Sequence, residues 1–202
     1  MSQIHDVQST ILAYGLPDSS AEGLYLRTLA AEKNILVKDV NVTDFSQKLG
    51  SIAGLTGFAR DNLKYSGAAP DHSIVWFISV NREDLNWLLQ QYSLNKDVAS
   101  IDLKAVLTEH NVNWTLADHY VELQQEHRMM QAYTFLHHAK RAFEALEPKE
   151  YSTESYEMLA NALTKAEPVV TALQDGQEVD PAILEALAQN VKNSYQALLP
   201  HV

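Results

Sequence analysis

The sequence predicts an α/β fold: a four-stranded, mainly parallel sheet with flanking helices, followed by an antiparallel three-helix bundle. Three observations point there. Up to about residue 128, short β-branched or aromatic runs alternate with capped helical stretches. Across the last third, three apolar series step by three and four. They are Met129, Ala132, Leu136, Ala139, Phe143 and Leu146, then Tyr156, Leu159, Leu163, Ala166, Val170 and Leu173, then Leu184, Leu187, Val191 and Leu198. Each series lies on one helical face, and three such faces dry one another. Glycine usage changes too, since six of the seven glycines precede position 68. The chain therefore divides into an α/β domain, 1–128, and a helical module, 129–202.

Thr10 to Tyr14 reads as a strand, closed by the turn Gly15-Leu16-Pro17-Asp18. Ser19 or Ser20 caps a helix to about Glu32, with Leu24 and Leu29 on its inner side. Ile35 to Val42 gives a second strand, and Asn41 to Asp44 opens a short helix carrying Phe45, Leu49 and Ile52 that stops near Gly54. Leu55 to Ser73 is a long polar and glycine-containing loop. Ser73 to Ser79 is the clearest strand, apolar enough for burial on both faces. Asn81 caps the next helix, where Leu85, Leu88 and Leu89 face inward. Leu103 to Leu107 is the fourth strand, and the chain is helical again from about Trp114.

Little punctuation follows until Pro148, so this last helix runs on into the bundle. Glu147-Pro148-Lys149 breaks it, and Ser152 caps the second bundle helix with Glu154 in its first turn. Asp175-Gly176 ends that helix, and Asp180-Pro181 supplies a cap followed by proline at the first helical position. Pro168 conflicts with its own helix, because it removes an amide donor at a cost of about 3 kcal/mol in a helix interior. A kink or a split is expected there.

Composition excludes several kinds of chemistry. The 202 residues contain no cysteine, which rules out disulfides, thiolate metal sites and cysteine nucleophiles. The net charge of −11 is spread along the chain, and no basic cluster exceeds Lys140-Arg141. Nucleic acid is therefore not an expected partner. The first ten residues lack a basic segment followed by an apolar core, and the longest apolar runs, such as Ile74 to Ile78, are too short to span a bilayer. The expectation is a cytoplasmic protein without membrane contact.

Leu103-Lys104-Ala105-Val106-Leu107-Thr108, continuing through Asn111, Asn113-Trp114 and Asp118 to Glu126-His127, resembles the closing signature of a small bacterial domain family of unknown function. Leu12 to Leu16 and Leu49-Gly50 to Gly54 extend that resemblance over roughly residues 10–128. Tyr151 to Tyr156, Leu159, Ala162-Leu163, Ala166, Val179-Asp180, Leu187 and Leu198 resemble the FIVAR helical module, which more often has Trp where Tyr156 stands. FIVAR units are mostly spacers or adhesive modules of secreted surface proteins. Neither resemblance implies an activity.

The loop after the fourth strand holds the candidate site. Ligands of open α/β sheets sit beyond the carboxyl ends of strands. Thr108, Asn111, Asn113 and Trp114 offer hydrogen bonds and a stacking face there, on an edge expected to include Gly15 to Ser20 and Asn41 to Asp44. A structural account competes: Asn113 caps the next helix, Asn111 shapes a turn and Trp114 packs on the sheet. His119, Glu122 and Glu126 share a helical face beside His127, but no second Glu-x-x-His completes a di-metal site, so a solvated acidic face is expected and no metal or cofactor. His137-His138 and His201 are isolated. Gly50, Gly54 and Gly57 lack the Gly-Lys-Ser/Thr of a phosphate loop, and no Gly-x-Ser-x-Gly occurs to partner His5, His72 or His110. The expected function is a non-catalytic interaction protein that contacts a protein partner or a second copy of itself. The alternative is a small-ligand-binding or enzymatic domain with its site near Asn111 to Trp114.

Overall fold

The computed structural model describes residues 7–198, so His5 and His201 lie outside the described residues. It forms two compact units, one ending at Gln124 and the other beginning at Gln125. The first unit contains β1 (Thr10–Tyr14), α1 (Ala21–Glu32), β2 (Leu36–Asp39), a 3₁₀ turn (Val42–Ser46), α2 (Leu49–Ala53), β3 (Ile74–Ile78), α3 (Arg82–Leu94) and β4 (Leu103–Val106). Helix α4 (Leu116–Glu144) starts in this unit, and its later turns belong to the second. There it is followed by a 3₁₀ turn (Pro148–Glu150), α5 (Thr153–Gln174) and α6 (Pro181–Gln196).

The strands form one mixed sheet in the order β2-β1-β3-β4. The outer pairs β1–β2 and β3–β4 are parallel, as the sequence predicts for most of the sheet. The central pair differs: β1 and β3 run antiparallel, with Thr10 opposite Ile78 and Tyr14 opposite Ile74. The connection into β3 explains the difference. It holds a 3₁₀ turn and the five-residue α2 and then a long irregular loop, 55–73, instead of one long helix crossing back over the sheet to a parallel neighbour.

Period-two alternation assigns the strand side chains to two cores. Ile11, Ala13, Val75 and Phe77 pack with Leu26, Leu29 and Ala30 of α1 and Leu88 and Tyr92 of α3. Leu12, Ile74, Trp76, Ile78 and Leu103 face the other way, against Phe45, Leu49, Ile52, Leu116 and Tyr120. All five residues of β3 are buried, which accounts for its continuous apolar run. Ser20 caps α1 by accepting from Gly23 N at 3.0 Å, and Asn81 caps α3 by accepting from Asp84 N at 2.9 Å. One residue of α1 departs from expectation. Leu24 is 60% exposed, because the helix turns Leu26 and Leu29 to the sheet and Gly23 to the Leu16-Pro17 turn.

In the second unit Ala132, Leu136 and Ala139 of α4 share one cluster with Leu159, Ala162, Leu163 and Ala166 of α5 and Leu184, Ala188 and Val191 of α6. These are largely the positions that the apolar series single out. Helix α5 is continuous through Pro168. The proline is exposed, as is Thr164 one turn earlier, so the carbonyl deprived of a donor has solvent beside it and no split is needed.

Leu159 is fully buried in this cluster while its neighbour Met158 is exposed. Leu159→Ala is expected to lower unfolding free energy by about 2–5 kcal/mol, and Met158→Ala to change it by less than about 0.5 kcal/mol. Urea denaturation of the two variants beside the parent checks the pair.

Candidate functional site

The 107–115 loop is built largely by its own polar groups. Asn111 is buried, its Oδ1 accepts from Thr108 N at 2.8 Å, and its Nδ2 donates to Val106 O at 3.0 Å. Trp114 N donates to Asn111 O at 3.0 Å, so both the amide side chain and the backbone of Asn111 shape the turn. The loop is also joined to α2: Gly50 N donates to Val112 O and Leu49 N to Trp114 O, both at 2.9 Å. Gly50 is needed for packing, since a Cβ there would come within 2.7 Å of the Phe58 ring. Thr108 and Asn113 are exposed, and Trp114 is half-buried between the rings of His110 and His119 at centroid distances of 5.1 and 5.7 Å.

Two expectations about this loop are corrected. The cap of α4 is Thr115, whose Oγ1 accepts from Asp118 N at 3.0 Å and whose carbonyl accepts from His119 N at 3.0 Å; Asn113 lies outside the helix. The loop also does not share an edge with Gly15 to Ser20. Because β1 and β3 are antiparallel and β4 is parallel to β3, the carboxyl ends of β1 and β4 fall at opposite ends of the sheet.

His119 is not part of a solvated acidic face. It is 5% exposed, and its Nδ1 accepts from Trp76 Nε1 at 3.1 Å within the core. Burial pushes its pKa down to about 4, so the imidazole is neutral at pH 7 with its proton on Nε2. Glu122 and Glu126 are exposed, and no group of three or more His, Asp or Glu among the described residues could hold a metal ion.

A second polar cluster closes the end of the long loop. Tyr120 Oη donates to Asp71 Oδ1 at 2.7 Å and accepts from Gln124 Nε2 at 2.7 Å, while His72 Nδ1 lies 2.7 Å from Asp71 Oδ1 and 3.1 Å from Tyr120 Oη. Burial, with the Asp71 hydrogen bond added, pushes the Tyr120 phenol up to about 12. The same hydroxyl is the main cause that holds the Asp71 carboxyl below its ordinary value. At neutral pH the phenol therefore keeps its proton and donates it to a carboxylate, which anchors the loop and makes Tyr120 a poor general base. Sequence reading missed this cluster because about fifty residues separate its two halves.

The second unit carries an open groove of about 250 Å³ between α4 and α5. Leu136, Leu163 and Ala166 form its floor, and Lys140, Glu167 and Thr171 stand on its rim. Lys140 Nζ donates to Glu167 Oε1 across it.

Residues 75–130, from β3 into α4, match a family model described as a domain of unknown function (DUF3783). The match covers about a quarter of the chain and includes the 107–115 loop and His119. No curated protein and no solved structure matches the chain.

Cap and turn roles give separable outcomes. Thr115→Ala is expected to cost about 1 kcal/mol of stability, whereas Asn113→Ala stays within about 0.5 kcal/mol of the parent. Thermal melts of the two variants decide the assignment.

His119 sets a pH dependence. Well above pH 6.5 the imidazole is neutral in both folded and unfolded chains, and its contribution to stability is fully present. As pH falls from there towards 4, the unfolded chain takes up a proton that the folded chain refuses, so stability drops, by up to about 3 kcal/mol. Urea midpoints measured between pH 7 and pH 4 should fall steeply for the parent and much less for His119→Gln. Equal slopes would show that another group is responsible.

Proposed function

We propose that the protein is a non-catalytic cytoplasmic interaction protein whose second unit, read as an antiparallel three-helix bundle of FIVAR-like kind, contacts a protein segment or a second copy of the chain. The α4–α5 groove carries this reading. Its floor is apolar and its rim holds charges of both signs, which is the composition of a peptide-accepting surface. Exposed Met130, Met158 and Ile183 add adaptable apolar area on the same unit. No helix among the described residues is long and apolar enough to cross a membrane. In the first unit, Asn111, His119, Asp71 and Tyr120 already hydrogen-bond to protein groups, which favours a structural role for them over chemistry.

Thr171 is exposed on the groove rim, so Thr171→Trp fills the groove with little effect on the core. Sedimentation velocity of the full chain, and paired pull-downs with parent and variant as baits, test the reading. A complex formed by the parent and lost in the variant is the expected result. Absence of any groove-dependent complex, with itself or with another protein, removes the proposal.

A further inference from the structure

A second concavity lies in the first unit, between the end of α3, the connection 95–102 and the edge strand β4. It measures about 320 Å³, within the usual span of small-molecule sites. Tyr92 and Ile101, both buried, form its floor with the partly buried Leu89 and Val98. The charged residues lining it are Lys96 and Lys104, in a chain with 26 acidic residues against 15 lysines and arginines.

The sheet register puts Lys104 there. It pairs with Val75, whose side chain lies in the core beneath α1 and α3, while the flanking Leu103 and Ala105 pack into the opposite core. A lysine thus occupies a strand position that faces the helical layer, at the mouth of an apolar cleft. Lys104 Nζ donates to Ile101 O, and Lys96 Nζ donates to Ser93 O at 3.1 Å. An ammonium has three donors, so each retains capacity for a ligand.

The neighbouring carboxylates are engaged elsewhere. Asp102 Oδ2 accepts from Ser73 N at 2.8 Å and from Ser73 Oγ at 2.9 Å, and Glu22 Oε1 accepts from Ala99 N at 3.3 Å. Asp97 is exposed and does not line the cleft. Partial burial lowers the pKa of Lys104, against the opposing effect of Asp102, and an anion placed beside the ammonium would offset that desolvation.

We propose that this cleft binds a small amphipathic carboxylate. The aliphatic or aryl tail lies on Leu89, Tyr92, Val98 and Ile101, and the carboxylate sits between Lys96 and Lys104. The apolar floor supplies affinity, and the paired ammoniums select an anionic head group over a neutral one.

Two-dimensional amide NMR of the full chain, titrated below the micellar range with decanoate and separately with 1-decanol, tests this. Decanoate should give saturable shifts confined to residues 89–104, at least tenfold tighter than decanol. Lys104→Met should keep the parent spectrum elsewhere and lose most of that preference. Ser100→Trp, which fills the cleft from an exposed lining position, should abolish binding of both compounds. Unsaturable or dispersed shifts, equal affinity for acid and alcohol, or an undiminished preference in Lys104→Met would each overturn the assignment. The outcome does not depend on the α4–α5 groove, so this site and the interaction surface fail or stand separately.

Discussion

The antiparallel pairing of β1 with β3 organises the first unit. Each of these strands begins a strand–helix–strand segment, and each segment makes a parallel pair of its own. Right-handed crossovers fix on which face each segment's helix lies. Were β1 and β3 parallel, outward growth in opposite directions would put α1 and α3 on opposite faces, as in doubly wound sheets. Turning one segment around brings both helices to the same face, where they share the core that contains Val75 and Phe77. The other face is then left to α2, the long loop and the start of α4, and Trp76 is fully buried beneath them.

That arrangement also explains where the polar side chains go. A face covered by short helices and irregular chain has many backbone groups without regular partners, and these are costly to bury unpaired. Asn111 satisfies two of them within its loop, and Gln47 receives Asp61 N at 2.9 Å while its Nε2 reaches Asp61 Oδ1 at 3.0 Å. His119 provides the acceptor for the Trp76 indole, the one polar atom of a large buried side chain. The residues that look most chemical in the sequence are therefore those that a loop-covered sheet face needs for its own cohesion.

Legibility in the sequence follows the range of the interaction involved. Caps such as Ser20, Asn81 and Ser152 and the stop at Gly176 depend on neighbours within four residues, and they are visible directly. The apolar cluster of the second unit is equally legible, because helical periodicity displays its positions. The sense of β3 is not local. It depends on a loop whose path is set by contacts such as Tyr14 Oη to Pro70 O at 3.1 Å, across 56 residues. That one strand direction decides at which edge of the sheet the 107–115 loop lies. The cap of α4 is ambiguous in the sequence for a different reason, since Asn113 and Thr115 are both good caps and only the geometry chooses Thr115. Lys104 is visible as a lysine inside a strand, but the face it occupies depends on the register that sets it opposite Val75.

The two units bury apolar surface in different ways, and the difference bears on which surfaces remain open. The central strands are covered on both faces by bulky side chains, with Trp76, Phe45 and Phe77 almost inaccessible. The helical seam relies on small residues, with Ala132, Ala139, Ala162, Ala166 and Ala188 among its buried positions. Small side chains let α5 and α6 approach closely, whereas α4 stands further off and a groove opens between α4 and α5. Leu136, Leu163 and Ala166 line the bottom of that groove with only a small part of each side chain reaching solvent. At the edge of the sheet the cause is different: β4 has no further strand beside it, so the end of α3 overhangs an incompletely covered layer. One opening is bordered by charges of both signs and the other by lysines alone. The border, and not the apolar interior, is therefore what distinguishes the two openings chemically, since apolar surface of this kind does not discriminate among occupants.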